Sequence, residues 1–225
     1  MMRRASVLVL LCLGSSPDAA PGGGTVNGGV IVARDGKKVT NAEHVWVYLK
    51  PVRGRRVEYG KGQRFKIEQK GKDFKPKVTV VPVGAEVAFP NVEVDATEHN
   101  VFSPSDPPFD LKRFKPGNSP AHVFGEPGQV SIYCDIHKDM WAKVKVIDSA
   151  WYAEVKNGTF TIANVPAGRY KVVAWAPDSD EVKSPSTIVV SDGQTVTVDP
   201  DELHLQLGKP NLLHTRKDGS AYPPY

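Results

Sequence analysis

A cysteine, a histidine and a methionine recur three residues apart in this sequence, at Cys134, His137 and Met140. They offer a thiolate, an imidazole and a thioether within one short loop. Soft sulfur ligands beside imidazole suit copper, and one cysteine, two histidines and a weakly bound methionine make up a blue (type 1) copper site. The spacing therefore predicts a copper centre that needs a second histidine from elsewhere in the chain.

His99 is the best candidate for this second histidine, because it follows a predicted strand that includes Phe89. Each residue also has an ordinary interpretation. His99 could be a hydrogen-bonded structural histidine, Met140 a core residue, and Cys134 a buried inert thiol or a dimer contact. A zinc site is a further alternative, which we disfavour because methionine is a poor zinc ligand.

The first twenty residues are expected to form a secretory signal peptide. Residues 1–4 are basic, residues 5–13 form a short apolar run, and residues 15–20 are small or polar. This is the layout of a signal peptide, and the run is too short to span a bilayer. We therefore expect an exported, periplasmic protein from which residues 1–20 have been removed.

Export changes the meaning of the two cysteines. Cys12 would leave with the signal peptide, so Cys134 would lack an internal disulfide partner in an oxidising compartment. That situation favours a thiolate held by a metal. A lipid anchor on Cys12 is the less favoured alternative, because Leu10 and Leu11 precede it where small residues would be expected.

The chain that must position these ligands has the composition of a β-sandwich protein. It contains 20 Gly and 19 Pro among interspersed aromatic and β-branched residues, and helix-length apolar periodicity is rare. We therefore predict an all-β fold. The formal charge of +4 is too small and too dispersed to indicate a nucleic-acid partner.

Short apolar runs between turn residues predict strands on both sides of the ligand loop. The predicted strands are 26–33, 44–50, several within 65–92, 129–134, 142–147, 151–155, 159–163, 169–176, 186–190 and 195–198, with 201–207 as a possible last strand. The turn 34–37 is predicted to lie between the first two strands, and residues 97–119 are predicted to be loop-rich. The charged run 66–77 is expected to be one solvent-facing strand.

Further residues around the ligands form a family pattern. They are Phe89, Asn91, His99-Asn100-Val101, Phe109-Asp110, Pro127-Gly128 and Tyr133-Cys134-x-x-His137-x-x-Met140. In these residues the chain resembles the cupredoxins, and its short ligand loop is similar to that of amicyanin. The resemblance implies that His99, Cys134 and His137 bind copper in one plane, with Met140 as axial ligand. It also implies that Asn100 links the two ligand loops by hydrogen bonds.

A second resemblance lies in Asn157-Gly158 and Pro166-Ala167-Gly168. The segment holding them is similar to the carboxypeptidase regulatory-like (transthyretin-like) sandwich, and residues 25–51 are similar to the opening strands of that family. Strands within 25–51 should then pair with strands after residue 151. The whole arrangement resembles proteins labelled methylamine-utilisation-like.

These resemblances predict a cupredoxin Greek-key sandwich inserted in, or joined to, a second small β-sandwich. The predicted parts are a copper-binding domain at 64–148, a discontinuous second sandwich at 25–58 and 150–207, and a tail at 208–225. From sequence, the tail is either an ordered strap or a frayed end.

The function predicted from these features is that of a one-electron carrier between redox protein partners. Its cofactor would be one type 1 copper, and we expect no enzymatic reaction of its own. The cupredoxin resemblance implies an electron port at the edge of His137, surrounded by apolar residues such as Pro104, Pro107, Pro108 and Phe109. The alternatives are a copper-binding or delivery protein, and a structural module with an incidental copper site.

Overall fold

The computed structural model describes residues 22–52, 58–105, 107–209 and 214–222, so the predicted signal peptide lies outside the described residues. In these ranges the regular structure consists of β-strands and one short 3-10 helix. The predicted all-β class is confirmed. No helix in this part of the chain is long and apolar enough to cross a membrane.

The strands fall into three stretches of the chain. The first holds β1 (Gly24–Gly29), β2 (Ile31–Arg34), β3 (Lys37–Lys38) and β4 (Trp46–Pro51). The second holds β5 (Arg64–Lys66), β6 (Glu68–Gln69), β7 (Phe74–Lys75), β8 (Val78–Pro82), β9 (Ala85–Ala88), β10 (His99–Ser103), β11 (Phe109–Phe114), β12 (Ala121–Phe124), β13 (Gly128–Tyr133) and β14 (Trp141–Ile147). The third holds β15 (Tyr152–Glu154), β16 (Thr159–Val165), β17 (Gly168–Trp175), β18 (Val182–Lys183), β19 (Ile188–Val190), β20 (Thr195–Val198), the 3-10 helix Pro200–Glu202 and β21 (His204–Leu207).

Strands β1–β4 pair among themselves or with strands of the third stretch, and we call β1–β4 with β15–β21 the outer sandwich. Strand β1 lies between β16 and β20, β2 lies between β3 and β21, and β4 lies between β15 and β17. In the described residues none of β1–β4 pairs with β5–β14. The predicted domain boundaries themselves remain a prediction.

The predicted strand 26–33 is two strands, because the chain crosses from one sheet to another at Val30. Strand β1 follows β16 and β20, whereas β2 follows β21. The predicted turn joins β2 to the short strand β3 rather than leading to β4. Asp35 and Gly36 form it, both with positive φ, which suits a tight hairpin turn.

The inner sandwich consists of β5–β14. Its larger sheet has the order β11-β10-β13-β14-β8, and its smaller sheet has the order β12-β9-β5. The segment 97–119, predicted to be loop-rich, also holds two strands that were not predicted, β10 and β11. All five residues of β10 are buried, so this strand lacks the alternation that would have identified it.

The charged run 66–77 also differs from its prediction. It is divided among three short strands, β5, β6 and β7, rather than forming one solvent-facing strand. Ile67, Gln69 and Phe74 within it are fully buried. These side chains anchor the run to the inner sandwich although charged residues dominate its sequence.

The two sandwiches share a packed interface. Its buried side chains are Tyr48, Val173 and Trp175 of the outer sandwich and Val78, Val80 and Ile147 of the inner sandwich. Beside them, Lys143 and Lys145 of β14 are almost fully buried. Lys143 Nζ lies 2.8 Å from Asp178, and Lys145 Nζ lies 2.6 Å from Glu181. Since buried charges need partners, these ion pairs favour one relative placement of the two sheets.

Candidate metal centre

The loop after β13 carries three of the four predicted ligands. Cys134 directly follows β13, and the loop runs to Met140, immediately before β14. The Cys134 amide donates to the Met140 carbonyl at 3.2 Å, and the Met140 amide donates to the His137 carbonyl at 3.1 Å. The backbone thus closes on itself and holds the two sulfur-bearing residues at the base of the loop.

His99 reaches this loop because β10 lies next to β13 in the sheet. It is the first residue of β10, and its side chain is fully buried. The Asp135 amide donates to Asn100 Oδ1 at 3.1 Å, and Asn100 Nδ2 donates to Asp110 Oδ1 at 2.8 Å. The predicted link between the two ligand loops through Asn100 is confirmed.

The ligand atoms of His99, Cys134 and His137 all lie within 4.8 Å of one another. His137 Nδ1 lies 3.2 Å from His99 Nδ1 and 3.6 Å from Cys134 Sγ. Metal–nitrogen bonds of about 2.0–2.1 Å and a metal–sulfur bond of about 2.3 Å give these separations when the ligands stand about 100–115° apart. The three side chains therefore fit a single metal ion. Met140 is fully buried in the same apolar core as Cys134.

Burial also sets the protonation of the ligands. It raises the pKa of the Cys134 thiol, although backbone hydrogen bonds partly oppose this effect. Burial, together with neighbouring His99, lowers the pKa of His137. At neutral pH His137 is therefore neutral and has a lone pair to donate. Cys134 is a protonated thiol until a metal ion displaces its proton.

Glu93 is hydrogen-bonded to the ring of His99, and the sequence did not identify Glu93 as part of the site. Its Oε1 accepts from His99 Nε2 at 2.9 Å and from the Lys72 amide at 2.8 Å, while Oε2 accepts from the Gly71 amide at 2.9 Å. Burial alone would raise the pKa of Glu93, but these hydrogen bonds outweigh it and lower the pKa. A carboxylate can only accept, so the His99 proton sits on Nε2 and its Nδ1 lone pair faces the centre.

The structure places the other predicted residues outside the ligand cluster. Pro104, Pro108 and Phe109 line a groove that Tyr133, residues 214–217 and Gly219 also line. The ring of His122 stacks on Phe109 with centroids 3.9 Å apart. His137 itself is half-buried, next to the exposed pair Lys138-Asp139, so it is not sealed from solvent.

One family model matches part of the chain. Residues 148–198 match the family described as polysaccharide lyase family 4, domain II. This match replaces the carboxypeptidase regulatory-like assignment expected from Pro166-Ala167-Gly168. No curated protein matches the sequence.

Solved cupredoxin structures are similar to part of the chain. A purple cupredoxin from Nitrosopumilus maritimus is 23% identical over 37% of this chain and 99% of its own, with a TM-score of 0.33. Amicyanin from Paracoccus versutus is 20% identical over 45% of this chain and 97% of its own, with a TM-score of 0.34. A copper-containing nitrite reductase from Thermus scotoductus SA-01 is 22% identical over 52% of this chain and 28% of its own, also with a TM-score of 0.34. Because these scores are low, we base the proposed function on the side chains of the metal centre.

Proposed function

We propose that this chain is an exported type 1 copper protein that carries one electron at a time between redox protein partners. The observation behind this proposal is the convergence of His99 Nδ1, His137 Nδ1 and Cys134 Sγ on one point. Met140 lies in the same short loop and is fully buried. Two imidazoles, one thiolate and a thioether are the donor set of blue copper proteins.

The donor set favours copper over zinc. Structural zinc sites use four strong ligands, usually cysteine and histidine, and catalytic zinc sites keep a position open to water. Here His99 and Cys134 are fully buried. A buried methionine in the same loop as Cys134 and His137 suits a soft metal ion that tolerates one weak, long bond.

The surroundings of the ligands suit electron transfer. A bound copper ion would supply the one-electron chemistry, and the chain has to keep the ligand positions unchanged between the two oxidation states. Three sets of hydrogen bonds hold the ligand residues in place. They lie within the loop, between the Asp135 amide and Asn100, and between His99 and Glu93. Such partners orient ligands and tune the metal.

Electrons would enter and leave through the half-buried ring of His137, the most exposed of the three strong ligands. We propose that redox proteins make brief contacts at this ring, since weak redox encounters use small interfaces. We place the mature protein in the periplasm after loss of residues 1–20. In this proposal the protein is a carrier and not an enzyme.

The electronic and EPR spectra of the copper-loaded protein test this function. We expect one copper per chain, an intense visible band from Cys134 thiolate-to-copper charge transfer, and reversible one-electron reduction. A colourless copper complex that releases its metal readily would instead support copper delivery. Binding of zinc alone would reject the copper assignment.

The Glu93→Gln variant tests the support behind His99. Both carboxylate oxygens of Glu93 accept hydrogen bonds from N–H groups. The amide of glutamine has only one acceptor oxygen, so in either orientation its NH2 group would face an N–H donor and lose that hydrogen bond. We expect copper affinity to fall about 10–100-fold, the usual effect of removing such a partner.

Glu98→Gln is the matched control for Glu93→Gln. It removes the same charge next to His99 in sequence, but Glu98 has no hydrogen bond to the ring in the described structure. Competition with a copper chelator measures both affinities. Equal affinities of the two variants would show that Glu93 acts only through its charge.

A further inference from the structure

The chain returns to the ligand loop near its C-terminal end. Residues 214–222, which we call the strap, pack against the loop, and the hydrogen-bonded residues are 81 and 88 positions apart in sequence. Tyr222 Oη donates to the Cys134 carbonyl at 2.6 Å. Arg216 Nε donates to the Asp135 carbonyl at 3.2 Å. The strap thus contacts the backbone of a ligand residue and of its neighbour.

The side chain of Asp135 ties the loop to the strap a second time. This carboxylate is only 2% exposed. Its Oδ1 accepts from the Lys217 amide at 3.1 Å, and its Oδ2 lies 3.4 Å from both Arg113 and Arg216. A buried carboxylate is costly without donors, and two of these three donors belong to the strap.

Ring contacts hold the residue before Cys134. His214 stacks on Tyr133, with centroids 4.0 Å apart and ring planes at 16°. Tyr222 meets His214 edge-on at 5.3 Å. Both sequence neighbours of Cys134, Tyr133 and Asp135, are therefore held from outside the sandwich.

The strap is also linked through hydrogen bonds to Asn100, the residue after His99. Lys217 Nζ lies 3.1 Å from Asp110 Oδ2. The other oxygen of Asp110 accepts from Asn100, whose own side-chain oxygen accepts from the Asp135 amide. Strap, ligand loop, β10 and β11 thus form a closed ring of hydrogen bonds that passes through Asp135, the residue after Cys134.

We propose that the strap is a positioning element that holds Cys134 in its metal-binding geometry through Tyr222 and Arg216, before and after the metal is bound. The effect of the strap on electron transfer rests on the proposed function, because a thiolate held in place keeps the metal-site geometry alike in the two oxidation states. That the strap restrains the ligand loop does not depend on that function and is testable in the metal-free protein.

Hydrogen exchange of the loop amides in the metal-free, full-length protein tests whether the strap restrains the ligand loop. The amides of Cys134, Asp135 and Met140 are all hydrogen-bonded in the structure, so they exchange when the loop opens. In Tyr222→Phe we expect their exchange to be about fivefold faster, the effect of losing one hydrogen bond. Arg216→Gln, which weakens the donors of Asp135, should act in the same direction.

Tyr170→Phe is the matched control for the strap variant. It removes the same kind of bond, a tyrosine hydroxyl donating to the Pro166 carbonyl at 3.0 Å, but in the outer sandwich. It should leave the exchange of the loop amides unchanged. Equal exchange in Tyr222→Phe, Arg216→Gln and the parent protein would overturn the proposal.

Spectra of the copper-loaded variants separate this proposal from the proposed function. A shifted charge-transfer band and altered EPR splitting in Tyr222→Phe, but not in Tyr170→Phe, support a strap that sets the thiolate geometry. If the parent protein gives no blue complex while the loop amides still exchange faster in Tyr222→Phe, the strap stands and the redox function fails. A blue parent whose Tyr222→Phe variant is unchanged in exchange and spectrum overturns the strap alone.

Discussion

A Cys134→Ser variant is expected to lose the intense visible absorption of the copper-loaded protein completely. The colour of a type 1 centre comes from charge transfer between a thiolate and copper, and a serine oxygen cannot supply it. The metal-free variant should stay folded, because the change replaces one buried atom by a smaller one and leaves the pairing of β13 with β14 in place. We expect it to lose about 1–3 kcal/mol of unfolding free energy at most.

His122→Gln is the control for this loss of colour. His122 stacks on Phe109 and is not among the three convergent ligands, so its variant should keep the full absorption. Titration with copper followed by visible absorption and EPR distinguishes the two variants. Colour retained by Cys134→Ser, or lost in His122→Gln, would show that the metal ligands have been assigned wrongly.

A Trp175→Ala variant should cost about 3–5 kcal/mol of unfolding free energy, as is usual for a buried tryptophan. Trp175 is 2% exposed at the interface of the two sandwiches, and the Lys145 ammonium lies 5.5 Å from its ring centroid. The ring touches groups of both sandwiches, so its loss should weaken both. Calorimetric unfolding of the metal-free protein should show the transition about 10 °C lower.

Val189→Ala provides the comparison for this loss of stability. Val189 is 62% exposed in the outer sandwich, and its truncation should change the unfolding free energy by less than about 0.5 kcal/mol. If Trp175→Ala lowers one of two separate transitions and leaves the other unmoved, the sandwiches unfold independently. The buried interface would then not couple them.

The ligand loop was predictable because its chemistry is local. Cys134, His137 and Met140 lie within seven residues, so any compact turn brings them together. His99 needed a longer inference, from the residues around it to a strand beside β13. The structure brings its ring to Cys134 and His137. That the centre binds copper, with Met140 as axial ligand, stays a prediction.

Contacts over long sequence separations were not predictable in the same way. Glu93 accepts from the Gly71 and Lys72 amides across 22 and 21 positions, and Tyr222 reaches Cys134 across 88 positions. Such hydrogen bonds depend on how whole strands pack and leave no periodic pattern in the sequence. Strand β10 escaped prediction for a related reason, since a strand buried on both faces does not alternate.

The way the outer sandwich closes on itself has a consequence for biosynthesis. A ribosome delivers the chain from its N-terminus, so β4, which ends at Pro51, emerges long before its partner β15, which begins at Tyr152. Strands β5–β14 find all their partners among themselves and can pair as soon as they have been made. The strands next to the predicted metal ligands are therefore all synthesised before β1 and β4 meet any partner and before β2 meets β21. A chain that stops short of residue 152 would leave β1 and β4 unpaired and β2 paired only with β3, so that strand edges would be exposed.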